Sequence, residues 1–419
     1  MKQPRGTQDF LPPASERFWA LEKLGADIFR RAGYGRVITP MFEDTDLFER
    51  SVGESTDIVN KEMYTFTDRS DHSLTLRPEG TASVMRAIVT HHLWDAGLPI
   101  KLYYDAAMFR YERPQKGRFR QHHQLGIEAV GSEDPALDAE VIEIGNDLLR
   151  EAHVGPVALL LNSMGHRGPN CRDRYLPALR AFLEQHREEL DADCKRRMVT
   201  NPLRVFDCKV PEDQAILANA PMLSDFICDE CRAHLASVEG FLDDAGIKYE
   251  MAPRLVRGFD YYTRTTFEFQ SGALDAAQNA VGGGGRYDGL VEEIGGPALP
   301  GIGFGLGIER ILLAQEAAGG AVESDRLVCY VIPLEQAAHA EAVRLTRRLR
   351  EAGLAADTAY VERGLKTQLK HADRIGARFA ALIGEKELSA GSVTLRDMTS
   401  GEQTQVSLDE ATAWLGERV

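Results

Sequence analysis

The chain has 419 residues, 43% hydrophobic and 27% charged, with a formal net charge of −15 at pH 7. These are the proportions of a soluble globular protein, too long for one ordinary core, so two or three domains are expected, and the acidic balance argues against nonspecific nucleic-acid binding over the whole surface. No apolar run approaches the roughly 20 residues that span a bilayer, no apolar stretch follows Met1-Lys2-Gln3-Pro4-Arg5-Gly6 as in a signal peptide, and the six cysteines form no dense framework, all of which points to the cytoplasm.

In chain order, residues 17–33 place Phe18, Leu21, Leu24, Ile28 and Phe29 on one side of a predicted amphipathic helix, stopped near Gly33 and Gly35. A strand follows and ends at Pro40. Residues 101–111 and 121–130 predict two strands around a charged loop, Glu112 to Arg120. A helix over 135–152 and a strand over 157–161 come next. From about 165 to 248 the chain turns helical and charged and lacks β signals, the pattern of an insertion into the first domain. Strands return at 255–256 and 265–269. Gly282–Gly285 reads as a turn before a helix at 287–294, and Gly301–Gly307 leads into a helix holding Glu309 and Arg310.

Residues 317–325, small, Gly-containing and acidic, read as a linker. They divide the chain into domains at 1–325 and 326–419. The second half alternates: strand 327–333, helix 335–352, strand 355–361, helix 365–376, strand 379–383, two strands within 392–407, helix 409–417. That is a small α/β domain. Within it Arg344, Arg347, Arg348, Arg350, Arg363, Lys366, Lys370, Arg374 and Arg378 stand against Glu351, Asp357, Glu362 and Asp373, nine minus four or a local +5. Such a run is either a solvated helix face or a nucleic-acid surface.

Two segments carry the most information: Leu255-Val256-Arg257-Gly258-Phe259-Asp260-Tyr261-Tyr262-Thr263, and Gly282-Gly283-Gly284-Gly285-Arg286-Tyr287-Asp288-Gly289-Leu290. They combine a fixed cation able to grip phosphate or carboxylate, tyrosine hydroxyls that donate or accept, and glycines that let main chain approach a ligand. Between the predicted strands, Phe109–Gln121 crowds Arg110, Arg113, Lys116, Arg118 and Arg120 into one loop, which suits a triphosphate. Leu76-Arg77-Pro78-Glu79-Gly80-Thr81 sets a carboxylate and a hydroxyl beside a proline-fixed turn, or simply starts a helix. Gln124 and Glu128, four apart on a strand, share a face, whereas the adjacent His122 and His123 point to opposite faces and make a poor metal pair. The glycines of 301–310 would also attract a dinucleotide reading, but no βαβ unit surrounds them. Cys228 and Cys231 form a C-x₂-C pair that, with Cys208 and His234, makes a Cys₃His set for structural zinc. The plain alternative is unrelated thiols on helices.

These segments resemble histidyl-tRNA synthetases, of the class II aminoacyl-tRNA synthetases. Arg5–Pro12 and Gly35–Pro40 resemble the N-terminal signature and motif 1, Phe109–Gln121 motif 2, Gly301–Arg310 motif 3, and the two segments above the histidine-specific signatures. The resemblance covers essentially the whole chain. It implies an antiparallel sheet flanked by helices, with a helical insertion and a C-terminal α/β anticodon-binding domain. It also implies a homodimer joined through motif 1, with histidine, ATP accompanied by Mg²⁺, and tRNA(His) as partners.

By the same resemblance Arg110 contacts the α-phosphate, Glu112 reads the adenine amino group, Arg118 holds the outer phosphates and Arg310 packs on adenine. Glu79 and Thr81 bind the α-ammonium of histidine, Gln124 the amino acid, and Glu128 and Tyr262 its two imidazole nitrogens. Tyr261 and Tyr287 complete that pocket, and Arg257 serves both histidine binding and, with Arg110, catalysis. One residue departs from the pattern: His122 stands where the family commonly has Phe against adenine. Its flat ring offers less apolar surface, which predicts weaker or pH-sensitive ATP binding. A second reading is a synthetase-like regulatory subunit of ATP phosphoribosyltransferase. It expects a lost anticodon domain and eroded arginines, yet 327–419, Arg110, Arg118, Arg257 and Arg310 are all present. A class II synthetase for another amino acid is disfavoured by the two histidine-type segments.

Overall fold

The apolar stripe near the N-terminus builds α1 (Ala14–Arg31), which buries Phe18, Leu21, Ile28 and Phe29. The computed structural model describes all residues except 54, 55, 57, 116, 257, 276–278, 321–326, 361–363 and 419. It divides into two units, Met1–Glu323 and Ser324–Val419.

In the first unit the strand expected to run to Pro40 stops early: β1 is only Gly35–Arg36. Val37 still donates to Tyr103 O at 2.8 Å, after which the chain leaves to form β2 (Phe42–Asp44). α2 (Thr45–Val52), β3 (Tyr64–Thr67), β4 (Ser73–Leu76) and α3 (Thr81–Thr90) follow, with β2, β4 and β3 in a separate three-stranded sheet. β5 (Ile100–Phe109) and β6 (Gln121–Val130) form the expected antiparallel pair. α4 (Pro135–Glu151) starts with proline in its first turn and is capped by Asp134, which accepts from Ala136 N. β7 (Val157–Ser163), α5 (Arg172–Gln185), α6 (Ala192–Thr200), α7 (Pro211–Leu217), α8 (Asp229–Asp244), β8 (Glu250–Met251), β9 (Thr263–Ser271), β10 (Ala280–Arg286), α9 (Leu290–Glu293), β11 (Gly301–Gly307) and α10 (Ile308–Ala318) complete the unit.

Eight strands make one sheet in the order β1-β5-β6-β11-β10-β9-β7-β8. It is antiparallel throughout its centre, with parallel pairs only at its edges. The glycines expected to form a turn are the body of β10. Its neighbours press so close that a Cβ on Gly285 would lie 2.6 Å from Thr265 O, and one on Gly284 2.7 Å from Phe304 Cα. The helix expected at 287–294 shrinks to α9, because Tyr287 N is still bonded to Gly301 O at 2.8 Å. The strand expected at 255–256 lies earlier, as β8. Between β7 and β8 the chain is helical as read, but Val238 and Leu242 of α8 join Leu148, Phe267 and Phe269 in the core under the main sheet. α5 to α7 pack instead with residues of the other sheet face, among them Tyr104, Tyr261 and Tyr287.

The second unit holds β12 (Cys329–Pro333), α11 (His339–Glu351), β13 (Ala356–Thr358), α12 (Leu365–Arg374), β14 (Phe379–Ile383), α13 (Glu385–Ala390), β15 (Ser392–Asp397), β16 (Gln403–Ser407) and α14 (Ala411–Gly416). Its sheet runs β13-β12-β14-β15-β16. β13 is shorter than the expected 355–361, and residue 361 of that expectation lies outside the described residues. α13 is an addition to the sequence reading, started by Gly384 N donating to Glu387 Oε2 at 3.0 Å. No helix among the described residues is long and apolar enough to cross a membrane.

Candidate active site

β6 sorts its side chains by parity. Leu125, Ile127 and Ala129 enter the core beneath α1 and α4. His123 follows them: its ring meets Phe18 edge-on at 4.9 Å and its Nδ1 lies 2.8 Å from Glu309 Oε1. His122, Gln124, Gly126 and Glu128 therefore line the opposite face.

On that face the predicted histidine-site residues converge. Glu79 is buried and accepts from Thr81 N at 2.6 Å and Ala82 N at 2.8 Å, so it caps α3. This unites the two readings of that turn, helix start and polar site. Thr81 Oγ1 donates to Glu128 Oε1 at 2.7 Å, and Tyr287 donates to Glu128 Oε2 at 2.5 Å. Glu128 is 1% exposed. Burial outweighs both hydroxyl donors and pushes its carboxyl up to about 8. Burial also raises Glu79, and holds the Tyr261 and Tyr287 hydroxyls far above the usual phenol range, as protonated donors. Tyr261 and Tyr262 pack 4.7 Å apart, Phe259 stacks on Tyr261 at 5.1 Å, and Tyr261 meets Tyr287 edge-on at 5.9 Å.

β11 leaves room for this group. Gly303 pairs with Glu128, and a Cβ there would collide with its Oε2. Gly305 faces Gln124 at an ordinary 3.4 Å. Sequence reasoning missed Tyr104, which is buried on the same face and whose ring would strike a Cβ on either Gly80 or Gly126. Gly126 is its partner across the hairpin, so an aromatic set opposite a glycine was the available signal.

The cationic loop lies at the end of the same hairpin. Arg110 Nε donates to Pro78 O at 2.8 Å, and its guanidinium lies 5.4 Å from the Phe259 ring. That links the loop to the turn before Glu79 and to the tyrosine cluster. Arg118 pairs with Glu112 at 3.3 Å. Arg120 lies over Tyr111 at 3.8 Å. Arg310 Nε donates to Ala280 O at 2.5 Å, and burial followed by the nearby Arg118 charge lowers its pKa. His122 is held down to about 3, first by burial and then by Arg110 and His123. A ring so held is neutral at neutral pH. Arg257 lies outside the described residues.

The zinc set Cys208, Cys228, Cys231 and His234 does not come together. His234 Nε2 is 2.8 Å from Asp138 Oδ2, on a buried carboxylate that also binds Arg286. Cys208 Sγ donates to Asp213 Oδ2 at 3.2 Å. Cys228 and Cys231 meet His166 and Cys171 instead. His234 meets Asp138 because α8 packs on α4, and one helical turn separates it from Cys231.

In the second unit the basic segment divides. On α11, Arg344 and Arg348 pair with Glu341, Arg347 with Glu351, and Arg350 with Asp357. α12 carries Lys366, Lys370 and Arg374, and among the described residues none of these makes a carboxylate pair. Arg363 and Glu362 lie outside the described residues.

Comparison with known proteins matches this architecture over its length. The family described as "Histidyl-tRNA synthetase" matches residues 6–311 and "Anticodon binding domain" matches residues 328–418. The "Histidine--tRNA ligase" of Halothermothrix orenii is 48% identical over 409 residues, 97% of each chain. That of Saccharopolyspora erythraea is 50% identical over 411 residues, 98% of this chain and 97% of the relative. The crystal structure of apo S. aureus histidyl-tRNA synthetase superposes with a TM-score of 0.81 at 39% identity, covering 99% of both chains. A structure described as an ATP phosphoribosyltransferase regulatory subunit/histidyl-tRNA synthetase from Bacillus halodurans C gives 0.63 at 20% identity over 91% of this chain and 97% of that one, a likeness of fold alone. With the antiparallel sheet, the cationic hairpin loop and the carboxylate–tyrosine pocket in one unit, and with relatives near half identity over nearly the full length, this chain belongs to the histidyl-tRNA synthetase family.

Proposed function

We propose that the chain is a histidine–tRNA ligase, and the observation that carries the proposal is Glu128 held between Thr81 and Tyr287 among buried tyrosines. A neutral imidazole has one donor and one acceptor nitrogen. Glu128 takes the donor nitrogen and the Tyr262 hydroxyl serves the other. A different amino acid would leave those buried groups unpaired, which rejects it by about 10⁴–10⁵. Glu79 and Thr81 receive the α-ammonium, Gln124 the amino acid, and Tyr261 and Tyr287 complete the walls.

The first step uses MgATP. A histidine carboxylate oxygen attacks the α-phosphorus, the bond to the β-phosphate oxygen breaks, and histidyl-adenylate and pyrophosphate result. The terminal ribose hydroxyl of tRNA(His) then attacks the carbonyl carbon, and AMP leaves. Arg110 and Arg257 stabilise the negative charge that builds on the α-phosphate, a role worth about 2.7–4 kcal/mol for a preorganised donor. Glu112 reads adenine, Arg118 holds the outer phosphates, and His122 and Arg310 take the two faces of the ring. The second unit binds the anticodon.

A cytoplasmic homodimer completes the proposal. It is supported by Ile38, Met41, Phe42 and Phe66, large apolar side chains exposed on and beside the three-stranded sheet. The test is ATP–pyrophosphate exchange with each standard amino acid. Exchange with histidine alone is expected. Folded protein that binds histidine yet exchanges with none would favour the regulatory-subunit reading.

A further inference from the structure

Two helix starts and one loop meet on the far side of β9 from the cationic hairpin. Cys171 immediately precedes α5, Cys228 immediately precedes α8, and Cys231 lies in the first turn of α8. His166 comes from the loop after β7. One ligand atom from each lies within 4.8 Å of all the others. Cys171 Sγ and Cys231 Sγ are 3.9 Å apart, and His166 Nδ1 is 3.2 Å from Cys231 Sγ and 3.5 Å from Cys228 Sγ. Tetrahedral zinc, with Zn–S of about 2.3 Å and Zn–N of about 2.0–2.1 Å, requires S···S near ~3.8 Å and S···N near ~3.5 Å.

We propose that His166, Cys171, Cys228 and Cys231 bind one structural zinc ion.

The surroundings fit that use. Cys171 and Cys231 are buried, and Cys228 N donates to Cys171 Sγ at 3.2 Å, the kind of donor that steadies a thiolate. The starts of α5 and α8 bring the positive ends of two helices to the sulfurs. Around the imidazole, Glu230 Oε1 lies 3.7 Å from His166 Nε2 and 2.5 Å from Arg264 Nη2. With Nδ1 on the metal, Nε2 carries the proton, so Arg264 releases that nitrogen and keeps its bond to Glu230. In this structure Arg264 Nε donates to His166 Nε2 at 3.2 Å and its Nη2 lies 2.8 Å away. That is the metal-free arrangement, in which Arg264 donates to Nε2 and Nδ1–H donates to sulfur.

The second group of similar composition, Asp191, Cys194, Cys208 and Asp213, is occupied by its own hydrogen bonds: Asp191 caps α6 through Cys194 N at 2.6 Å, and Asp213 accepts from Cys208 Sγ. The zinc would tie residues 165–248 to the sheet beside the histidine pocket, because Arg172, next to Cys171, donates to Tyr262 O.

The test is metal analysis of the full chain purified without chelator. About one zinc per chain is expected, falling below about a tenth in Cys171→Ser and Cys228→Ser and unchanged in Cys208→Ser. Cobalt added to the metal-stripped chain should give the visible spectrum of tetrahedral thiolate coordination, a readout that needs no variant to fold. Less than about a tenth of an equivalent of zinc in the unaltered chain together with no such cobalt spectrum would overturn the site. So would zinc lost in Cys208→Ser and kept in Cys228→Ser.

Discussion

Tyr287 and Thr81 each donate a hydroxyl to Glu128, at 2.5 and 2.7 Å, one from 159 residues after it and one from 47 before. The carboxyl stays close to neutral despite them, because burial raises it to about 8. A folded-state value above the unfolded one means that the group favours folding fully only below its unfolded pKa of about 4.3. That contribution is lost as pH rises towards 8. Glu128→Gln removes the titration. The melting temperature of Glu128→Gln minus that of the unaltered chain, both ligand-free, should climb from about pH 4.5 to 8 and then level off. Histidine-dependent pyrophosphate exchange should fall about fivefold to a hundredfold, since a buried polar group left without its partner costs about 1–3 kcal/mol. A pH-independent difference in melting temperature would show that Glu128 is ionised in the folded chain.

Gly303 is the space that Glu128 occupies. A Cβ there would lie 2.8 Å from Glu128 Cδ and closer still to Oε2 and Ile127 O, whereas on Gly305 the nearest atoms of Gln124 are 3.4 Å away. Gly303→Ala should therefore cost about 1–3 kcal/mol or more in denaturant unfolding and raise the KM for histidine. Gly305→Ala should cost clearly less. Equal costs would mean that the glycines serve strand flexibility rather than the carboxyl.

His122 offers a smaller apolar face than phenylalanine, but its lowered pKa of about 3 leaves it uncharged at neutral pH. His122→Phe should lower the KM for ATP about twofold to tenfold, the worth of a better aromatic contact. The ratio of the two enzymes' KM values should stay constant from about pH 6 to 8, because the histidine does not titrate there. Its sign for stability is opposite to that of a histidine that gains an acidic partner on folding: the unfolded chain takes up a proton below about pH 6.5, so the unaltered protein loses stability relative to His122→Phe as pH falls from there towards 3. A KM ratio that bends near pH 6.5 would show the ring charging in place.

The β5–β6 hairpin was legible in the sequence because its side chains alternate between core and site, so Gln124 and Glu128 could be put on one face before any coordinates. β10 was not, since glycine has low strand propensity and a run of it signals a turn. Only the closeness of β9 and β11 makes glycine the residue that fits. Tyr287 could be assigned to the pocket by resemblance, yet its bond to Glu128 spans 159 residues. Sequence spacing found Cys228 and Cys231 as a pair. It chose the wrong companions because His234, though near in sequence, lies on the face of α8 that meets Asp138, while Cys171 and His166 arrive from about 60 residues away. The charge count over 344–378 was right as arithmetic but did not show that α11 spends its arginines on neighbouring acids.

That division of charge predicts which helix of the second unit meets RNA. Arg347 is held by Glu351 at 2.7 Å along α11, and an exposed pair of this kind carries little net field beyond its own surroundings. Lys366 and Lys370 sit one turn apart on α12, and neither pairs with an acid among the described residues. They are the cations free to neutralise phosphates. The double variant Lys366→Gln/Lys370→Gln should weaken tRNA(His) binding and flatten the slope of log K against log salt by about 1 to 2, since each lost phosphate contact removes about 0.7–0.9 from it. Arg347→Gln should leave that slope nearly unchanged. Histidine-dependent pyrophosphate exchange without tRNA should be normal in both, because the substitutions lie outside the unit that holds the adenylation site. Equal slopes for the double variant and the unaltered chain would move the tRNA contact off α12.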